Sequence, residues 1–169
     1  EIAPAQLAFG DSVLYPMLVC MLAGVLIGLI QKHYGAVPET MHQVMATVKG
    51  VEDNFEELTG IDDILVGEGV FELHADVIDY GILGANLLMQ LGLPADFDEA
   101  VQVYAPRKGE RIDLNDPRES LNQEELYSPK VGFMVKQNKY DSQYVITNIA
   151  FARRLFEWQG EVSAVEMKL

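Results

Sequence analysis

Val13 to Ile30 reads VLYPMLVCMLAGVLIGLI, eighteen residues without a charged side chain. The run just reaches the length at which an apolar stretch becomes a candidate membrane span. Whether it crosses a bilayer or folds into a core decides what kind of molecule this is. Three features favour the core. Pro16 stands near the start, Gly24 and Gly28 interrupt the middle, and neither flank carries the Lys and Arg cluster that orients a span. Pro16 also suits the first turn of a helix beginning at Asp11 or Ser12, where its missing N–H would have had no partner. The run is therefore expected to split. A buried helix covers about Ser12 to Leu22, Ala23-Gly24 ends it, and a strand follows from Val25 to about His33. A requirement for detergent would overturn this reading.

Outward from the run, Ile2 to Phe9 is expected as a short strand, which Pro4 limits to an edge or a strand start. Tyr34 to Thr40 has the composition of a turn, and Gln43 to Lys49 alternates as a strand. Val51 to Leu65 places Phe55, Leu58, Ile61 and Ile64 at helical spacing, with Thr59-Gly60 breaking it into short helical turns. Val66 to Gly69 is a turn and Val70 to Leu73 a short extended piece. Tyr80 to Leu91 reads as an amphipathic helix with Leu83, Leu87, Leu88 and Leu91 on one side, stopped by Gly92. Ala100 to Ala105 alternates as a strand. Pro106 to Pro129 is long, polar and aperiodic, the pattern of a functional or mobile loop. Strands are expected at Val131 to Val135 and Gln143 to Thr147. A helix is expected from Ile149 to Trp158, stopped by Gly160, and a last strand from Val162 to Leu169. Together these make an α+β fold.

The 169 residues suit one domain, or one domain with a subdomain, and the apolar content of 49% suits a folded core. The net charge is −14 and the pI about 4.4. That argues against a nucleic-acid partner, which needs clustered Lys and Arg. Nineteen of the 26 acidic residues fall between Glu52 and Glu125, whereas the first fifty residues hold only Glu1, Asp11 and Glu39. The shift points to two substructures with different surfaces. The chain begins with Glu1, so it is expected to be a piece of a longer protein. The single cysteine, Cys20, allows no internal disulfide and reads as a small buried hydrophobe.

Chemistry-bearing patterns are sparse. His33, His42 and His74 lie outside any H-E-x-x-H or Cys/His spacing for zinc, although His33 and His42 could meet across a hairpin. Glu52, Asp53, Glu56, Glu57, Asp62 and Asp63 form a run of charge, which is usually a solvated face. Asp113-Leu-Asn115-Asp-Pro has calcium-loop composition without the spacing. No G-x-S-x-G or Walker A sequence occurs. The expectation is no catalytic, cofactor or metal residue. Arg107, Lys108 and Arg111, three cations in an acidic protein, are the candidate partner contact.

Several segments resemble the periplasmic core domain of MacB/FtsX-superfamily ABC-transporter permeases, with the nearest likeness to LolC/LolE-like lipoprotein-releasing permeases. They are Ala46-Thr-Val-Lys-Gly-Val-Glu-Asp-Asn-Phe55, Gly67-Glu-Gly-Val-Phe71, Asp79-Tyr-Gly-Ile-Leu-Gly-Ala-Asn-Leu87 with Leu91-Gly-Leu93, Val103-Tyr-Ala-Pro-Arg107, Lys139-Tyr-Asp-Ser-Gln-Tyr-Val-Ile146, Phe151-Ala-Arg-Arg-Leu155 and Glu161-Val-Ser-Ala-Val-Glu166. They span residues 43–169; residues 1–42 match less well, with Ala23-Gly24-Val25 standing at the family's helix-to-strand junction. The resemblance implies a porter-like βαβ part from residues 1–60 and 136–169. A mainly β, Sabre-like insertion would occupy 61–135. It implies a membrane-embedded, dimeric parent permease, with this domain on the periplasmic face of the inner membrane and a separate ATPase subunit. The partner would be a periplasmic carrier or an outer-membrane protein. Lipoprotein release, MacB-like efflux and FtsX-like control of a cell-wall hydrolase are the roles open within the family. A small α+β hydrolase is the alternative outside it.

Overall fold

In the computed structural model, the described residues are 27–29, 44–109 and 120–165. The fold is mixed α+β, with four short helices and several small sheets among the described residues. Its centre is β10 (Tyr144–Asn148), all five residues of which are buried. β10 pairs in parallel with β2 (Thr47–Val51) and antiparallel with β6 (Ile82–Leu83), so the sheet order is β2-β10-β6. A strand with a partner on each edge and cover on both faces needs an unbroken apolar run, and Tyr144-Val-Ile supplies it.

Register assigns the two faces. Val145 lies opposite Val48 and Leu83, while Ile146 lies opposite Ile82. Val48, Leu83 and Val145 belong to one apolar cluster with Leu87, Leu91, Val103, Leu126, Phe151 and Leu155. Ile82, Tyr144 and Ile146 belong to the other, with Phe55, Ile61, Leu73, Val131 and Phe133. The central sheet therefore separates two cores, and alternate residues of one strand serve each.

The first core is closed by β7 (Val101–Pro106) and its antiparallel partner β8 (Leu121–Leu126), with β1 (Ile27–Leu29) on the other edge of β7. β1 falls within the strand expected from Val25 to His33. The expected strand over residues 2–9, the helix over 12–22, and the turn at 34–40 lie outside the described residues. So does nearly all of the apolar run. Among the described residues, no helix is long and apolar enough to cross a membrane. The second core is closed by β3 (Leu65–Gly67) paired with β9 (Val131–Phe133) and by a helical segment at its rim. That segment is α1 (Phe55–Thr59) followed by a 3-10 turn (Ile61–Ile64), the interrupted pair of short turns expected there. Gly60, at φ 63, ends α1 in the left-handed conformation, as Gly92, at φ 69, ends α2 (Ala85–Leu91).

Several expectations need correction. The helix expected from Tyr80 to Leu91 begins only at Ala85. Ile82 and Leu83 are instead strand β6, and the Gly84 N–H donates to Tyr144 O at 3.1 Å. Leu83, Leu87 and Leu91 share one core, so the helical spacing was real contact made by two different elements. The stretch from Pro106 to Pro129 is not all loop, because it contains β8. LNQEEL hides its strand because two of its three inward side chains, Asn122 and Glu124, meet a helix, and only Leu126 enters the apolar core. The strand expected at 43–49 is shifted to Thr47–Val51. Val70 to Leu73 forms no ladder, although Leu73 is buried and its carbonyl accepts from Tyr80 N–H at 2.9 Å. Residues 162–165 are not a strand, and Val162 and Val165 are exposed.

Two elements went unanticipated. One is the hairpin of β4 (His74–Ala75) and β5 (Ile78–Asp79). The other is the single turn α3 (Asn138–Asp141), whose Asp141 carboxylate accepts from Val135 N–H at 2.7 Å. The last helix, α4 (Ile149–Phe156), packs on β2, β7, β8 and β10. Its Phe151 and Leu155 are fully buried, each contributing about 1.5–3 kcal/mol of apolar burial. It ends two residues earlier than expected, with Glu157 and not Gly160 taking the left-handed capping position, at φ 55.

Candidate functional site

α4 carries the polar structure of this side of the molecule. Asn148 sits where β10 passes into α4. Its Oδ1 accepts from Phe151 N–H at 2.7 Å and so caps the helix, while its Nδ2 donates to Leu73 O at 3.1 Å and to Asp79 Oδ1 at 2.6 Å. The other Asp79 oxygen accepts from Arg154 Nη2, and Arg154 Nε lies 3.7 Å from Glu124 Oε2. One helix thus ties β5 to β8. Arg154 lines an open cleft between the β4–β5 hairpin and β8, with Asp76, Asp79, Glu124 and Glu125 around it. Val77 at the hairpin tip is almost wholly exposed. On the outer face of β7 and β8, Gln123 donates to Gln102 and Gln102 donates to Glu125, both at 2.7 Å. The chemistry available to this surface is ionic and hydrogen-bonded recognition, with carboxylates held in place by a single guanidinium.

The far end of β7 carries the residues singled out from the sequence. Arg107 directly follows β7, is exposed, and donates its N–H to Ser120 O at 3.1 Å, one step past the β7–β8 ladder. Lys108 follows in the turn, and Gly109, at φ 80, carries the turn onward. The Lys108 N–H donates to Glu157 Oε2 at 3.1 Å, and Nζ reaches both Glu161 oxygens, at 3.3 and 3.2 Å. The packing of α4 explains the meeting. Asn122 of β8 donates to Leu155 O at 3.0 Å and fixes the helix end beside the turn. The left-handed Glu157 then sends the chain back across it. The structure thus puts Arg107 and Lys108 side by side at the strand end; Arg111 lies outside the described residues.

The remaining candidates disperse. His74 is exposed, with Nδ1 3.9 Å from Asp53 Oδ1, while His33, His42 and Asp113-Leu-Asn115 lie outside the described residues. Among the described residues, no group of three or more His, Cys, Asp and Glu could hold a metal ion. Glu52, Asp53, Glu57, Asp62 and Asp63 are exposed around α1 and the 3-10 turn. Glu56 is the exception, its carboxyl held above the usual range by partial burial, then by Asp62 and Glu57.

The chain matches no protein-family model and no curated protein. The residues that sequence reasoning missed are Asp79, Glu124, Asn148 and Arg154. Only Asn148 had a local signal, an Asn directly before an apolar helical pattern. The other three meet across more than seventy residues of chain in one case, Asp79 with Arg154, and no spacing rule covers such a distance.

Proposed function

We propose that this chain is the extracytoplasmic domain of a MacB/FtsX-type ABC-transporter permease, closest to the LolC/LolE-like kind. It stands on the periplasmic face of the inner membrane as part of a dimeric, membrane-embedded parent chain. ATP hydrolysed by a separate subunit moves the transmembrane helices, and this domain passes the motion to a partner outside, in lipoprotein release toward the outer membrane. The domain itself carries no catalytic group. In this reading residues 1–60 and 136–169 form the porter-like part and 61–135 the Sabre-like insertion.

One observation carries the proposal. Thr47 pairs in parallel with Tyr144, so strands from the two sides of the middle segment lie edge to edge, with α4 packed on β2. A domain built from both ends of the chain around an inserted middle requires such a pairing. The middle contributes β6 to the same sheet and receives β1 against β7, so the two parts share their cores.

The test is binding of a purified periplasmic lipoprotein carrier, by calorimetric titration. Deleting residues 106–129 is not a clean perturbation, because it removes β8. The triple variant Arg107→Glu, Lys108→Glu, Arg111→Glu leaves the β7–β8 ladder in place. Carrier binding that weakens at least about tenfold in this variant, with unfolding unchanged, supports the proposal. A parent chain that binds no carrier refutes the lipoprotein role. Binding instead to an outer-membrane partner or a cell-wall hydrolase moves the assignment to efflux or to hydrolase control.

A further inference from the structure

Lys108 is at once the described cation best placed for an acidic partner and the residue that holds the segment after α4. Its N–H and its ammonium are both taken by carboxylates from that segment, Glu157 and Glu161. The two glutamates stand four residues apart and reach one lysine because Glu157 and Gly160 adopt positive φ, at 55° and 74°, which turns the chain back toward Lys108. Both members of the Lys108–Glu161 pair are about half exposed, at 51% and 57%. Such a pair is screened by salt and opens readily. Beyond Glu161, Val162 and Val165 are exposed, so apart from the Trp158 ring against Phe156 little apolar packing holds the segment down.

We propose that residues 157–161 form a strap that competes with a partner for Lys108. The chain's own carboxylates stand where the partner's carboxylates go. The inference rests on the permease reading for what the partner is, but not for the strap itself. Competition of this kind is reciprocal. A partner that takes Lys108 releases the strap, and a pull that lifts the segment after α4 uncovers Lys108. The strap thereby couples the segment that leaves α4 to the partner-contact residues through two glutamates and one lysine.

Two measurements on the full chain decide it. The first is amide exchange at Lys108 and Trp158, the former bonded to Glu157 and the latter to Arg153 O. Exchange at Lys108 should quicken about two- to fivefold in Glu157→Gln, and exchange at both in Lys108→Glu, as expected for an exposed charged contact. The charge swap Lys108→Glu with Glu161→Lys should restore protection at Trp158. Rates insensitive to salt and to all of these changes overturn the strap. The second is carrier affinity. Glu157→Gln with Glu161→Gln should bind the carrier about two- to fivefold more tightly than the parent, the most that displacing so exposed a contact can return. Equal affinity for both chains overturns the competition. If neither binds the carrier, the permease reading fails and the exchange rates alone decide the strap.

Discussion

An Asn148→Asp variant keeps the oxygen that accepts from Phe151 N–H but loses the Nδ2 that donates to Leu73 O and Asp79 Oδ1. As a helix cap, aspartate is about as good as asparagine, so on capping alone the change is neutral. The cross-strand role reads differently. Asn148 is only 6% exposed, and the new carboxylate faces that of Asp79 where a 2.6 Å hydrogen bond stood. Losing two such bonds, one of them to a carboxylate, costs about 2–4 kcal/mol, although Leu73 O keeps its bond from Tyr80 N–H. Urea unfolding followed by Trp158 fluorescence should show the midpoint falling by roughly 1–2 M, for a slope of about 2 kcal/mol per M. Asn148→Ala should be at least as damaging, since it forfeits the cap as well. Asn148→Asp at parental stability alongside a destabilised Asn148→Ala would refute the reasoning, because only the cap would then matter.

Three further outcomes follow from the packing. In Gly84→Ala, the added Cβ would lie 2.3 Å from Asp141 O and 2.7 Å from its carbonyl carbon. Both are backbone atoms, so α2 and α3 must separate, and chemical denaturation should show a loss of about 2–4 kcal/mol. Phe133→Ala empties a fully buried site in the second core and should cost about 3–5 kcal/mol by the same measurement; a loss below about 1 kcal/mol would mean that the second core is not packed as described. Glu56→Gln should raise the melting temperature slightly at neutral pH. The Glu56 carboxyl titrates higher in the fold than in the unfolded chain, so it withholds stability above its folded value and returns it as the pH falls through that value. The benefit should therefore fade below about pH 4, and a benefit that persists there would contradict the assigned cause.

The elements legible in the sequence were those whose pattern is self-contained. β7 alternates and its inward residues Val101, Val103 and Ala105 are buried. β10 is a run of core residues, α4 has its cap and apolar face, and Gly60 and Gly92 stop their helices. What misled was a pattern shared between elements. Leu83 and Leu87 stand at helical spacing but belong to a strand and a helix that line the same core. The strand β8 was hidden for the opposite reason, since its inward Asn122 and Glu124 serve α4, only Leu126 enters the core, and Gln123 and Glu125 face solvent. As for the site, Arg107 and Lys108 were chosen as rare cations, but nothing near them in the chain announces Glu157 or Glu161.

The sequence by itself determined an acidic α+β chain with short elements and the glycine stops of α1 and α2. These depend on local backbone preference and on the polarity of neighbours within a few residues. Only the tertiary structure decided that β2 lies beside β10, that one sheet divides two cores, and that Arg154 joins Asp79 to Glu124 while Lys108 holds the segment after α4. Each of these brings together groups that lie dozens of residues apart. Their meeting is set by which apolar faces must be covered, and the polar contacts form where that packing leaves them.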